Sequence, residues 1–267
     1  TAKYYDSGWK DIPGSTNSKG VLLHDIPGIK PNVSFKMSYA GYTQQKSNVD
    51  IAANSYVVFQ GTKVIVKLLD SSSVGISGGV VKYYASGWKT FGTTDSNGEV
   101  AKELLPGKYS FRMTYVGYTQ QKSNVDITST NPLVFQAINM VVSLQDSGGA
   151  GISGGQAKYY ASGWKTFGTT DGTGNTPGVE LLPGKYSFKM TYAGYTQQKS
   201  NVDISSTNPL VFTTVKMQVK LEDSSGGGLA GGVVKYYASG WKNFGASPHT
   251  TDSTGFVPGD MELLPGK

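Results

Sequence analysis

The sequence predicts an all-β chain, a tandem array of small antiparallel β-sandwich domains forming an extended rod. Three observations carry this. The block GYTQQKSNVDI begins at Gly41, Gly117 and Gly194, and KYY(A/D)SGWK begins at Lys3, Lys82, Lys158 and Lys235, so the chain repeats itself every 76 to 79 residues. Before each GYTQQKSNVDI, apolar and polar residues alternate with the period-two spacing of a half-buried strand. No window of eleven residues carries the 3.6-residue stripe of a helix.

A period near 77 is longer than the 20 to 50 residues of common solenoid repeats, so each copy reads as a small domain. Copies 62–137 and 138–214 are complete. Copy 1–61 lacks the opening strand, and copy 215–267 stops before its closing strands. LLPGK begins at Leu104, Leu181 and Leu263, with residues 22–30 its divergent counterpart in the first copy. Both ends fall inside a copy, as in a window cut from a longer array, and edges left open there invite strand addition by a neighbour.

Within a complete copy the elements follow in order. Residues 64–69 read VIVKLL, rich in β-branched side chains, and predict an opening strand. KYYASGWK predicts a hairpin turned at Ser86-Gly87, and Asp95-Ser96-Asn97-Gly98 a second turn. Pro106-Gly107 punctuates the chain before Tyr109, Phe111, Met113 and Tyr115, which alternate with Ser110, Arg112 and Thr114. The equivalents in the next copy are Tyr186, Phe188, Met190 and Tyr192. Residues 132–136 predict a closing strand, which makes roughly seven strands per copy, the pattern of a small sandwich. Aromatic burial is the main source of apolar area in so small a core.

Composition excludes several function classes. The chain has 267 residues and no cysteine, so it holds no disulfide, thiolate-metal site or cysteine nucleophile. Its two histidines, His24 and His249, are far apart and unlike in context. No nucleophile, acid-base pair or ligand cluster converges, so the sequence predicts no enzyme, no cofactor and no metal. The net charge is +6, but the lysines are scattered and form no run, which argues against nucleic acid. No apolar stretch is long enough to span a bilayer in this segment.

Three features are candidate contact sites. Each KYYASGWK hairpin carries aromatic rings, with Tyr83 and Trp88 in one copy and Tyr159 and Trp164 in the next, which either stack on sugars or anchor the core. Gln120, Gln121 and Lys122, and Gln197, Gln198 and Lys199, form a polar patch once per copy that could hold a glycan or a partner. Asp95, Asp171 and Asp252 lie in Thr-Asp-x-x-Gly segments with too few carboxylates around them for calcium, which favours Asx turns.

The strand ending at Asp70, the Gly78-Gly79-Val80-Val81 segment, the turn 92–98, Leu105-Pro106-Gly107-Lys108-Tyr109 and Gly117-Tyr118 together resemble the prealbumin-like, carboxypeptidase-regulatory-like β-sandwich of the Ig-like class. They are also similar to the collagen-adhesin B-type stalk domains of bacterial surface proteins. The resemblance implies a stalk or spacer in a secreted or surface protein. It departs at one place, where those repeats have a glutamate that assists a Lys to Asn isopeptide bond and this chain has Met37, Met113 or Met190. The opening-strand lysines Lys67 and Lys220 are also replaced in the third copy by Ser143, so no such crosslink is expected.

The linkers point the same way. Residues 133–146 read LVFQAINMVVSLQD and residues 210–223 LVFTTVKMQVKLED, with no Gly, Pro or Ser-rich slack between copies. The resulting expectation is an extracellular structural repeat protein of a bacterial cell surface: a stalk, adhesin shaft or filament-forming fibre whose partners are neighbouring copies of itself. The alternative is a multivalent carbohydrate-binding array that meets cell-surface polysaccharide through the Tyr/Trp hairpins.

Overall fold

The computed structural model describes residues 1–27 and 32–265, which are all-β with no helix. Of the LLPGK positions, 28–30 in the first copy and 266–267 in the last lie outside the described residues. The chain divides into two compact units: Thr1–Tyr115 with Thr119–Gln136, and Val116–Tyr118 with Ala137–Lys267.

In the first unit, β1 (Ala2–Tyr5), β2 (Trp9–Ile12), β3 (Val33–Tyr39) and β4 (Tyr42–Val49) form one sheet in the order β2-β1-β3-β4. The complete copy follows with seven strands: β5 (Thr62–Leu69), β6 (Val80–Tyr84), β7 (Trp88–Thr93), β8 (Glu99–Leu104), β9 (Lys108–Tyr115), β10 (Tyr118–Asp126) and β11 (Leu133–Gln136). They make a four-stranded sheet, β10-β9-β6-β7, and a three-stranded sheet, β11-β5-β8. Alternation places Tyr109, Phe111 and Met113 of β9, Val64, Val66 and Leu68 of β5, and Phe135 of β11 in the core. Tyr115, at the end of the same alternating row, is only half-buried.

In the second unit, β12 (Ile138–Met140) and β13 (Val142–Gln145) together take the place of β5. They pair with β16 (Val179–Leu181) and β19 (Leu210–Thr213) respectively. The four-stranded sheet is β15-β14-β17-β18, built from β14 (Gln156–Tyr160), β15 (Trp164–Thr169), β17 (Lys185–Tyr192) and β18 (Tyr195–Asp203). One apolar cluster joins Val142 and Leu144, Leu210 and Phe212, Ala157 and Tyr159, and Tyr186, Phe188 and Met190, so the two layers share a single core. The last copy contributes β20 (Val215–Met217) paired with β23 (Met261–Leu263), and β21 (Lys235–Tyr237) paired with β22 (Trp241–Asn243).

The sandwich is not purely antiparallel. β11 runs parallel to β5, and β19 parallel to β13. Because the first and last strands of a copy point the same way, the chain enters at one pole of the sandwich and leaves at the other. An antiparallel closing strand would return the chain to the pole at which it came in.

Three side-chain ties recur and explain blocks of the repeat. In NPLVF, Asn131 Oδ1 accepts from the Ile65 amide at 2.9 Å and its Nδ2 donates to Lys63 O at 2.8 Å, extending the ladder beside β5. Asn208 does the same for Val141 and Asn139. Thr94 Oγ1 accepts from Gly79 N and donates to Ile76 O, with Thr170 and Thr251 in the same role. In LLPGKY, Tyr109 Oη donates to Leu105 O at 2.7 Å and Tyr186 Oη to Leu182 O at 2.8 Å, both buried. Of the opening-strand positions compared above, Lys67 pairs with Glu99 at 2.5 Å and Ser143 Oγ hydrogen-bonds Asn175 Oδ1.

Tyr186→Phe deletes one of these ties and leaves the buried Leu182 carbonyl unpaired. It is expected to destabilise the chain by about 1 to 2 kcal/mol, read as a lower urea midpoint with unchanged slope.

Candidate functional site

The site begins with a two-residue turn. Ala40-Gly41, Val116-Gly117 and Ala193-Gly194 take positive φ at both positions, 53° and 87°, 42° and 91°, and 52° and 84°. That is the type I′ geometry that matches the twist of a tight hairpin, and it turns the two carbonyls outward at the tip. A tyrosine follows each turn, at Tyr42, Tyr118 and Tyr195.

In the first unit this tip is held by the next copy's KYYASGWK hairpin. Tyr83 Oη donates to Ala40 O at 2.9 Å and Ser86 Oγ to Gly41 O at 3.3 Å, while the Tyr42 ring lies 5.0 Å from that of Tyr109. The second unit, which includes Val116–Tyr118, repeats the arrangement twice. Ser162 Oγ donates to Gly117 O at 2.9 Å, the Tyr118 ring stacks on Tyr186 at 4.4 Å, and Lys185 N donates to Tyr118 Oη at 3.3 Å. Tyr236 Oη donates to Ala193 O at 3.0 Å and Ser239 Oγ to Gly194 O at 3.2 Å.

The local sequence is fitted to this contact. A Cβ on Gly117 would stand 2.6 Å from Ala161 O, and one on Gly184 would overlap Tyr118 Oη, so the glycines of A/V-G-Y and L-P-G-K let backbone and ring approach. Ser86, Ser162 and Ser239 hold φ of 52°, 56° and 55°, all at the corner that carries the donating hydroxyl. Burial pushes the Tyr186 hydroxyl far above the usual tyrosine value, reinforced by Tyr118 and Tyr159, so it stays a neutral donor at physiological pH.

A second contact reinforces the last junction. Leu264 joins the apolar core of the preceding copy. Glu262 Oε1 accepts from Ser147 Oγ at 2.7 Å, and its Oε2 from the buried Thr214 Oγ1 at 2.5 Å. Desolvation alone would raise the Glu262 carboxyl, but the Thr214 and Ser147 hydrogen bonds outweigh it and hold the group below the ordinary glutamate range.

The residues singled out in the sequence are placed as follows. Tyr83 and Tyr159 are 2% and 4% exposed, so neither offers a ring face to a ligand. The Arg112 guanidinium lies 3.9 Å over Trp88, and Lys189 Nζ 4.1 Å over Trp164, so one face of each indole is already covered. The most exposed rings of these two hairpins are Tyr84 and Tyr160, at 50% and 49%, with Trp164 at 38%. TQQK does not present one patch, because period two splits it. Lys122 and Lys199 reach Val134 O and Val211 O at 2.7 and 2.6 Å, clasping the closing strand. Gln120 and Gln197 share their side, each with a buried Oε1. Gln121 accepts from Arg112 Nε and donates to Ser123 Oγ, and Gln198 donates to Ser200 Oγ.

Asp95, Asp171 and Asp252 each accept backbone amides of their own turns, from Asn97 and Glu99, from Thr173 and Asn175, and from Thr254. Among the described residues no cluster of metal-ligating side chains forms. The residues that the sequence reading missed are the tip itself. Tyr-(Ala/Val)-Gly-Tyr is a short hairpin signal, but only the fold shows what the tip touches.

A carboxylate held below its unfolded value contributes stability that is present above that value and is lost as pH falls through the folded one. Glu262→Gln is therefore expected to lower the melting temperature at pH 7, with the difference from the parent shrinking as pH drops below about 4. Thermal melts across pH 3 to 7, a range set by the carboxylate values, check this. A gap that is constant with pH would remove Glu262 from the junction's charge balance.

No protein-family model matches the chain, and no characterised protein matches it in sequence. Among solved structures it is similar to the Bacillus anthracis TIE protein, at 14% identity and a TM-score of 0.24, over 88% of this chain and 52% of that one. The chain thus spans about half the length of that protein. It is also similar to a Streptococcal ancillary pilin, at 14% identity and a TM-score of 0.24, covering 70% and 76% of the two chains. A third is BcpA, the major pilin subunit of Bacillus cereus, at 11% identity and a TM-score of 0.23, covering 77% and 85%. At TM-scores this low the superpositions do not assign a fold family.

Proposed function

We propose that this chain is a structural protein, a shaft in which successive β-sandwich repeats are locked pole to pole by the docking of one repeat's hairpin tip into the next. The observation that supports this reading is the recurrence of the same contact: a backbone carbonyl of the turn bonded to a serine of the next KYYASGWK hairpin at Gly41, Gly117 and Gly194. A parallel pair of first and last strands brings the chain out at the pole where the next repeat begins, and the direct linkers leave no slack. In this reading the repeats run 62–137 and 138–214, with 1–61 and 215–267 as partial copies, and the array is stiff.

A stalk, adhesin shaft or fibre at a bacterial cell surface is the role that suits a stiff array, and neighbouring copies of the chain are its partners. The resemblance of the repeat to surface stalk domains supports that location. With no cysteine in the chain, no disulfide contributes to its cohesion.

Small-angle scattering of the full chain tests the reading. A pair-distance distribution with the long tail of a rod is expected, and Tyr42→Ala with Tyr118→Ala is expected to shorten and broaden it as the junctions loosen. A compact globular distribution, or one that the double variant leaves unchanged, would overturn the proposal.

A further inference from the structure

The outer faces of the four-stranded sheets carry a feature that the junctions do not use. Lys82 of β6 stands directly opposite Arg112 of β9, and Lys158 of β14 directly opposite Lys189 of β17. Like charges facing each other across an antiparallel pair oppose sheet formation, yet both complete repeats keep such a pair. Among the described residues no ion pair neutralises Lys82, Arg112, Lys158 or Lys189. The strands of these two sheets contain one carboxylate each, Asp126 and Asp203, and both lie at the far end of their strand.

The first copy supplies an internal comparison. There Lys3 faces Lys36 in the same register, but Asp11, across from Lys3 on the neighbouring strand, sits 3.1 Å from its Nζ. The residue across from Lys82 is Thr90, and that across from Lys158 is Thr166. So the position that holds a built-in counter-ion in one copy holds a neutral hydroxyl in the two complete ones.

Each cation pair has aromatic and hydroxyl neighbours. Tyr84 is 50% exposed and lies edge-on to Trp88 at 5.5 Å, and Tyr160 is 49% exposed with the same relation to Trp164. Ser110 is across from Tyr84, and Thr114 lies two residues along β9 from Arg112, on the same face. A half-exposed ring suits the C–H face of a sugar and the hydroxyls suit its polar rim, and two cations with no carboxylate partner, of which Arg112 and Lys189 rest over Trp88 and Trp164, suit an acidic group.

From this we infer that each complete repeat carries a binding site for an acidic saccharide, with the Lys82/Arg112 and Lys158/Lys189 pairs receiving a carboxylate or phosphate while Tyr84 and Tyr160 contact the ring that bears it. Two such sites on one chain would act together on a polymer. The site is separate from the tip contacts, so it stands or falls independently of the structural role.

Titration calorimetry of the full chain with polygalacturonate, neutral dextran and inorganic polyphosphate at low salt tests this. Polygalacturonate is expected to bind, weakening as salt is added, and dextran not to bind. Thr90→Asp with Thr166→Asp, which copies Asp11 of the first copy, is expected to weaken binding roughly tenfold or more with a melting temperature equal to or above that of the parent. Lys82→Ser with Lys158→Ser should give the same loss. Parental affinity in a folded Thr90→Asp, Thr166→Asp variant overturns the cation-pair site. Equal binding of polyphosphate, with Tyr84→Ala and Tyr160→Ala having no effect, overturns the saccharide. Absence of any binding to polygalacturonate overturns both.

Discussion

The structure depends on one contact, the docking of a type I′ hairpin tip against the KYYASGWK hairpin of the following copy. A small sandwich buries only about 60% of the surface its extended chain exposes, and the aromatic end of each copy would otherwise face water. Stacking Tyr118 on Tyr186 at 4.4 Å and pairing Gly117 O with Ser162 closes that end with groups from the copy before. The tip residues Val116–Tyr118 thereby belong to the same compact unit as the hairpin that receives them.

The same contact explains why the repeat is spelled as it is. The first tyrosine of KYYASGWK turns inward, and in Tyr83 and Tyr236 its hydroxyl caps a tip carbonyl, while the second turns outward beside tryptophan. Serine bends the hairpin corner and aims its hydroxyl at the tip. In LLPGKY, glycine gives way to the incoming ring and tyrosine forms the surface on which that ring lies. These blocks are far apart in sequence, yet each specifies part of one interface.

Much of the fold was legible because it rests on short-range patterns. The alternation of Tyr109, Phe111 and Met113 is the period of a strand with one buried face, and Asp95 to Gly98 is turn chemistry that needs no tertiary context. What the sequence hid was long-range. Nothing local distinguishes a parallel closing strand from an antiparallel one, so the placement of β11 beside β5 had no signature. Tyr83 and Tyr84 are adjacent and identical, and only the pleat decides that one is buried against the preceding copy and the other is half exposed. TQQK read as a single patch because its residues are contiguous, whereas the strand sends Lys122 to the Val134 carbonyl and Gln121 to Arg112.

The central claim is that a tip from one copy completes the next, and amide hydrogen exchange reports on it residue by residue. In the full chain, Tyr118→Ala should speed exchange at the Lys185 amide, which donates to the Tyr118 hydroxyl, and around the corner 161–163, while amides in the middle of β17 stay protected. Unchanged protection at Lys185 and at that corner in a folded Tyr118→Ala variant would contradict the claim and reduce the tip to a surface turn.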